Sequence, residues 1–206
     1  MRKNNKEYLY NVIFKLFLSR HYELVTVSDI EKATGMTRGA IFYYVSNKQE
    51  LFCDIVDMYF FKAQDLDDEL QELKDMEEKG DTLLNFIHKY VQAMHYRMEK
   101  LQNILNIEKG EASRAYLNFI LQAQNYYPSF NQKMNAIFDS ELAIWENMLL
   151  SAQQRNEIKG DIDIKYFSRI FRYFYVGLCY HTSLTNGVDT KELEEYFTSI
   201  YMLIKK

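Results

Sequence analysis

One proline and seven glycines in 206 residues constrain this chain more than any other feature. Turns between strands draw heavily on those two residue types. A chain that almost lacks them must spend its length in long helices joined by few, short connections. Apolar spacing agrees: Leu84, Ile87, Tyr90, Val91, Met94 and Met98 recur at three- and four-residue intervals, the period of one helical face. The pattern predicts helices over 3–20, 51–76, 82–105, 111–125, 129–156, 164–184 and 190–204, with two short ones between 26 and 44. The breaks fall at Gly80-Asp81, Pro128-Ser129, 156–163 and Thr185-Asn186-Gly187. The expected fold is all-α, with about nine helices around a core that 48% apolar residues are enough to fill.

Charge is distributed unevenly. The overall balance of −4 speaks against binding to an anionic polymer. Residues 1–48, however, carry eight Lys/Arg against four acids, a net +4, while 49–206 carry seventeen against twenty-five, a net −8. A basic head on an acidic body is expected where one end faces phosphate and the rest stays off it. The acidic second half of 51–76 (Asp65, Asp67, Asp68, Glu69, Glu72, Asp75) reads as a solvated helix face. No apolar run is long enough to span a membrane, and the first residues have neither the apolar stretch nor the cleavage site of a secretory signal. The expectation is a cytoplasmic protein with no membrane partner.

Catalytic and metal chemistry find little support. Cys53 and Cys179 lie far apart with no CxxC spacing, and read as reduced, buried thiols, a redox pair being the alternative. His88 and His95 are two helical turns apart, but lack further ligands at metal-binding spacing. There is no glycine-rich phosphate loop, GxSxG or HExxH. No enzyme activity, metal or cofactor is expected.

The segment 25–52 carries the most information. Thr26-Val27-Ser28-Asp29 fits a capping box opening a short helix, with Ile30 and Ala33 as its inward face. Gly35 permits the left-handed corner that a tight helix–helix turn needs. Met36 packs inward, and Thr37 caps a second short helix running to about Tyr44. Asn47 and Glu50 open the next one. Two short helices around a glycine, with Ile30, Ala33, Met36, Ile41 and Val45 facing inward, form either a helix-turn-helix or an ordinary helical hairpin. The first turn of the second helix favours the former, because a recognition helix presents its N-terminal residues to base edges. Gly39 and Ala40 are small enough for close approach, and the Ala40 methyl can meet a thymine methyl. Arg38 can fork onto guanine. Tyr43 and Tyr44 can reach phosphates or flanking bases. Thr26 and Lys48, each at a helix start, are expected at phosphates.

TVSDIEKATGMTRGAIFYYVSNKQELF resembles the DNA-binding head of the tetracycline-repressor (TetR) family. The resemblance rests on Thr26, Ile30, Ala33, Gly35, Gly39, the aromatic pair before Val45, and Asn47-Lys48-Glu50-Leu51, and covers residues 10–55. It implies that Thr37, Arg38, Gly39, Ala40 and Tyr43 face the major groove. Tyr44 falls where the family often has His, and Lys48 and Thr26 fall at phosphate contacts. Phe42 departs from the pattern, standing where the family commonly has a tyrosine whose hydroxyl reaches the DNA backbone. The resemblance implies a three-helix head over 1–48 and a helical body over 49–206 that binds an effector and dimerises.

Two further expectations concern that body. The pair 164–184 and 190–204 has more large apolar residues than one core face needs, so a second face must be covered. A homodimer seam through Phe167, Phe171, Phe174, Gly177, Phe197, Ile200 and Tyr201 would cover it, and two heads would then read a palindromic operator in double-stranded DNA. The family usually binds a small molecule between its middle helices. Here Phe86, Tyr90, Met94, Tyr116, Phe119, Phe138, Trp145 and Met148 are the candidate lining, although for any one of them core packing is the simpler reading.

Overall fold

The computed structural model describes residues 2–62, 73, 75–76, 79–106 and 108–206. Nine α-helices are described: α1 Arg2–Ser19, α2 Val27–Thr34, α3 Arg38–Ile41, α4 Lys48–Val56, α5 Leu83–Leu105, α6 Lys109–Tyr126, α7 Phe130–Gln154, α8 Ile164–Ser183 and α9 Thr190–Ile204. A short 3-10 turn, Tyr22–Leu24, joins α1 to α2, and a π turn, Asp57–Phe61, prolongs α4. Among the described residues the only β pairing is one isolated bridge between Ile158 and Lys205. None of the described helices is long and apolar enough to cross a membrane.

Local chemistry explains most helix ends. Thr26, Thr37, Asn47, Thr82, Asp163 and Asp189 each accept a backbone N–H of the helix they open, satisfying donors that a helix start leaves unpaired. Asp81, adjacent to Thr82, braces that cap by accepting the Thr82 N–H at 2.9 Å. Gly35 (φ 68°) ends α2, and Gly187 (φ 84°) turns the chain between α8 and α9, both in the left-handed region that glycine enters at no steric cost.

Two apolar clusters hold the molecule together. The first joins Leu9, Ile13, Phe14 and Phe17 of α1 to Ile30, Ile41, Val45 and α4, and continues into Phe119 and Ala123 of α6. The second joins Phe86, Tyr90 and Met94 of α5 to Trp145 and Met148 of α7, Phe171 of α8, and Leu193, Phe197 and Tyr201 of α9. The π turn gives the sequence neighbours Phe60 and Phe61 simultaneous burial against Phe130, which a regular helix would splay apart. The boundary expected after residue 48 is therefore not a break in packing. Leu51, Phe52, Ile55 and Val56 of α4 are buried in the cluster that joins α1 to α6, so α4 is shared by the two ends.

Three sequence expectations change. The second short helix is α-helical only over Arg38–Ile41, with a turn from Phe42 to Tyr44. Ala33 is exposed and Thr34 buried, because a residue four positions after Ile30 lies nearer its face than one three positions after it. The helix expected over 51–76 is described through Phe61 as α4 and its π turn; Asp65, Asp67, Asp68, Glu69 and Glu72 lie outside the described residues.

Candidate nucleic-acid interface

The helix-turn-helix is built by reciprocal capping. The Thr26 side chain accepts from the Asp29 N–H at 3.2 Å, and the Asp29 carboxylate accepts from the Thr26 N–H at 2.9 Å. The Thr26 hydroxyl also donates to that carboxylate at 2.5 Å, so in the free protein it is held by the cap. This side-chain hydrogen bond, then the backbone one, hold the Asp29 carboxyl below its usual range. At the other end of α2, the Thr34 hydroxyl donates to the Ile30 carbonyl and accepts from the Met36 N–H. Glu31 accepts the Arg38 N–H at 2.6 Å, which fixes the start of α3 against α2. Thr37 caps α3 through the Ala40 N–H at 3.3 Å.

These bonds turn one edge outward. Thr37, Arg38, Gly39 and Tyr43 are exposed, Ala40 and Tyr44 half-buried, and Ile41 is driven into the core beneath them. Tyr43, at 72% exposure, packs edge-on against Tyr44. The Arg38 guanidinium lies 5.7 Å from the Phe42 ring, so the phenylalanine, without a hydroxyl, serves as a platform for the arginine. A Cβ added at Gly39 would meet nothing within 4 Å, and its φ is not positive. The protein's own fold therefore does not require glycine there.

Lys48 is placed differently from expectation. Its ammonium donates to the Tyr22 and Val25 carbonyls, both at 3.0 Å, and lies 4.2 Å from the Tyr22 ring. It clamps the turn that leads into α2. The other side of that turn is held by the body, with the buried Gln122 accepting the Tyr22 N–H at 2.6 Å and the Tyr126 hydroxyl donating to Glu23 at 2.7 Å. Sequence reasoning missed Gln122 and Tyr126, because a partner about a hundred residues away leaves no local signal.

The body residues expected around an effector separate. Tyr116 and Phe119 belong to the first cluster, whereas Phe86, Tyr90, Met94, Trp145 and Met148 belong to the second. Phe138 lies under the Arg172 guanidinium, 3.8 Å from its ring centre. The eight are therefore not gathered in one cluster, since two clusters and a half-buried ring outside both divide them. An open groove of about 580 Å³ runs instead between α1, α2 and α6, lined by Val12, Lys15, Leu16, Leu18, Ser19, Ala33, Glu111 and Ala115.

The expected dimer residues also divide. Phe171, Phe197 and Tyr201 are buried within the protomer, with Phe171 stacked on Trp145 at 4.5 Å, and are not free to meet a partner. Phe167, Phe174 and Ile200 are half-buried, and Gly177 is exposed. The outward face of α8 is instead Tyr166, Tyr173, Val176 and Tyr180. His88 and His95 stitch α5 to α9, through Glu194 at 2.6 Å and Thr190 at 3.0 Å.

Residues 9–55 match the family described as bacterial regulatory proteins, tetR family. No curated protein sequence matches the chain significantly. Among solved structures, a TetR-family transcriptional regulator from Agrobacterium tumefaciens is 14% identical, covers 100% of both chains and superposes with a TM-score of 0.66. SmeT in complex with triclosan is 18% identical, over 98% of this chain and 93% of that one, with a TM-score of 0.67. Reduced NemR of Escherichia coli is 13% identical over 98% of both chains, with a TM-score of 0.60. Residues 9–55 thus match the tetR-family head in sequence, and the whole chain shares the all-helical fold of these solved structures.

Proposed function

We propose that this protein is a sequence-specific repressor that binds a palindromic operator as a homodimer and is released by a small apolar or aromatic ligand. Gly39 is the observation that carries the DNA-binding part. Glycine at the start of a helix costs stability, and nothing in the protein requires it. Its absent side chain is explained by close approach of the Thr37–Tyr44 edge to an external surface, the floor of a major groove. In this reading Arg38 reads guanine, Ala40 and Tyr43 contact neighbouring bases, and Tyr44 and the helix start at Thr26 meet phosphate.

Dimerisation is supported by α8. Tyr166, Tyr173, Val176 and Tyr180 repeat at seven, three and four residues along one exposed face, beside Gly177. A large aromatic stripe left in water is the mark of a contact surface. Ligand release needs a body that adopts two conformers with different head spacing, and a ligand that prefers one of them. Selection of sites from random duplex DNA tests the proposal. We expect an enriched palindrome with half-sites about one helical turn apart. Enrichment of no sequence, or of a single unrepeated half-site, would refute operator recognition by a dimer.

A second reading keeps the DNA-binding head but gives the body no small-molecule effector. It is favoured by the interlocking of Trp145 with Phe86, Tyr90, Phe171 and Phe197, whose ring centres all lie within 5.5 Å of it.

A further inference from the structure

The second apolar cluster contains two polar atoms that nothing satisfies. The Tyr90 hydroxyl and the Trp145 indole N–H are both buried, on residues 4% and 1% exposed, and neither has a hydrogen-bond partner. Their rings touch, with centres 5.1 Å apart. A buried donor left unpaired is costly, so two on adjoining rings need a physical reason.

Loose polar packing is not that reason. Nearby, Arg172 donates to Glu141 at 3.0 Å while its guanidinium covers Phe138, and the Cys179 thiol is hydrogen-bonded to Tyr175. Burial drives the Cys179 thiol up to about 12, and it outweighs Arg172 and Arg97 in raising the Glu141 carboxyl above its usual range. The region is dry, and these groups pair under that pressure. The hydroxyl and the indole, on adjoining rings, do not.

We propose that these two groups receive the effector, and that the effector is a small aromatic molecule bearing an acceptor oxygen. This rests on the reading of the body as an effector site and names its ligand class. The indole N–H donates only, so a ligand group that also only donates cannot satisfy it. The surrounding walls are rings: Phe171 stacked on Trp145 at 4.5 Å, and Phe86 and Phe197 edge-on at 4.9 and 5.5 Å. A planar ring replaces such contacts, and an oxygen on it takes the two donors. Because both donors are sealed here, the ligand reaches them only in a conformer whose rings have parted. A ligand with access to one conformer and not the other has the differential affinity that shifts an equilibrium.

Trp145 is the single tryptophan of the chain, so its fluorescence reports on the site. The test uses the full-length protein and four one-ring probes: benzoate, acetophenone, toluene and benzylamine. We expect saturable quenching by benzoate or acetophenone, at least tenfold weaker binding of toluene, and none of benzylamine. Tyr90→Phe should weaken the oxygen-bearing probe about tenfold and leave toluene unchanged. The same variant without ligand should melt no lower than the parent, since it removes an unpaired hydroxyl. Equal binding of benzoate and toluene, unchanged affinity in Tyr90→Phe, a lower melting temperature of that variant, or no binding by any probe would each overturn the assignment. Operator binding by the unliganded protein is measured alongside. Its absence counts against the regulatory function, whereas intact DNA binding with silent probes counts against the ligand class alone.

Discussion

At the scale of single residues, the same chemical group can serve opposite partners. Lys48 sits at a helix start in a basic head, which made phosphate its natural expected partner. The folded chain gives its ammonium two carbonyls and an aromatic face instead. The two roles separate by salt dependence. Each neutralised phosphate contributes about 0.9 to the slope of log affinity against log salt. Lys48→Met should weaken operator binding and lower the melting temperature while leaving that slope unchanged. A slope reduced by about one in an equally stable variant would restore the phosphate role. The caps at Thr26, Thr37 and Asn47 were legible because a hydroxyl or amide just before a helix has one dominant use. Lysine has no such local preference, and its partners were set by a turn more than twenty residues away.

At the scale of elements, the head is held by carboxylates at its helix starts. Asp29 is lowered by the Thr26 hydroxyl and N–H, and Glu50 by the Ser46 N–H and side chain. A carboxyl whose folded value lies below its unfolded value favours folding when both states are ionised. That contribution is present above the unfolded value and disappears as pH falls through the folded one. Stability of the head should therefore decline on acidification from the ordinary carboxylate range downward. Melting curves from pH 6 to pH 2 of the parent and an Asp29→Asn/Glu50→Gln double variant check this. The variant should show a flatter acid limb, and an identical limb would show that these caps do not set it. The limits of most described helices were readable, since apolar periodicity and capping residues act within a few positions. Which stripe of α8 or α9 faces inward was not. Both helices carry two apolar faces, and the long-range cluster around Trp145 is where Phe171 and Phe197 turn in, while Tyr173 and Tyr180 turn out.

At the scale of the molecule, the proposed operator recognition needs a second copy. Tyr173 is 60% exposed at the middle of the α8 stripe, so Tyr173→Arg should leave the protomer folded and place two like charges in a dimer seam. Sedimentation should show a monomer, and operator affinity should fall about 10²-fold or more, because simultaneous engagement of two half-sites is lost. A dimer of unchanged affinity would move the seam elsewhere. The basic-head, acidic-body asymmetry separates the two ends in sequence, but says nothing of how they are coupled. That coupling is visible in the Tyr22–Leu24 turn, gripped from one side by Lys48 and from the other by Gln122 and Tyr126. A joint seized from both directions leaves no loose swivel beneath the reading edge. A shift at the C-terminal end of α6 would therefore be passed on to the Thr37–Tyr44 edge.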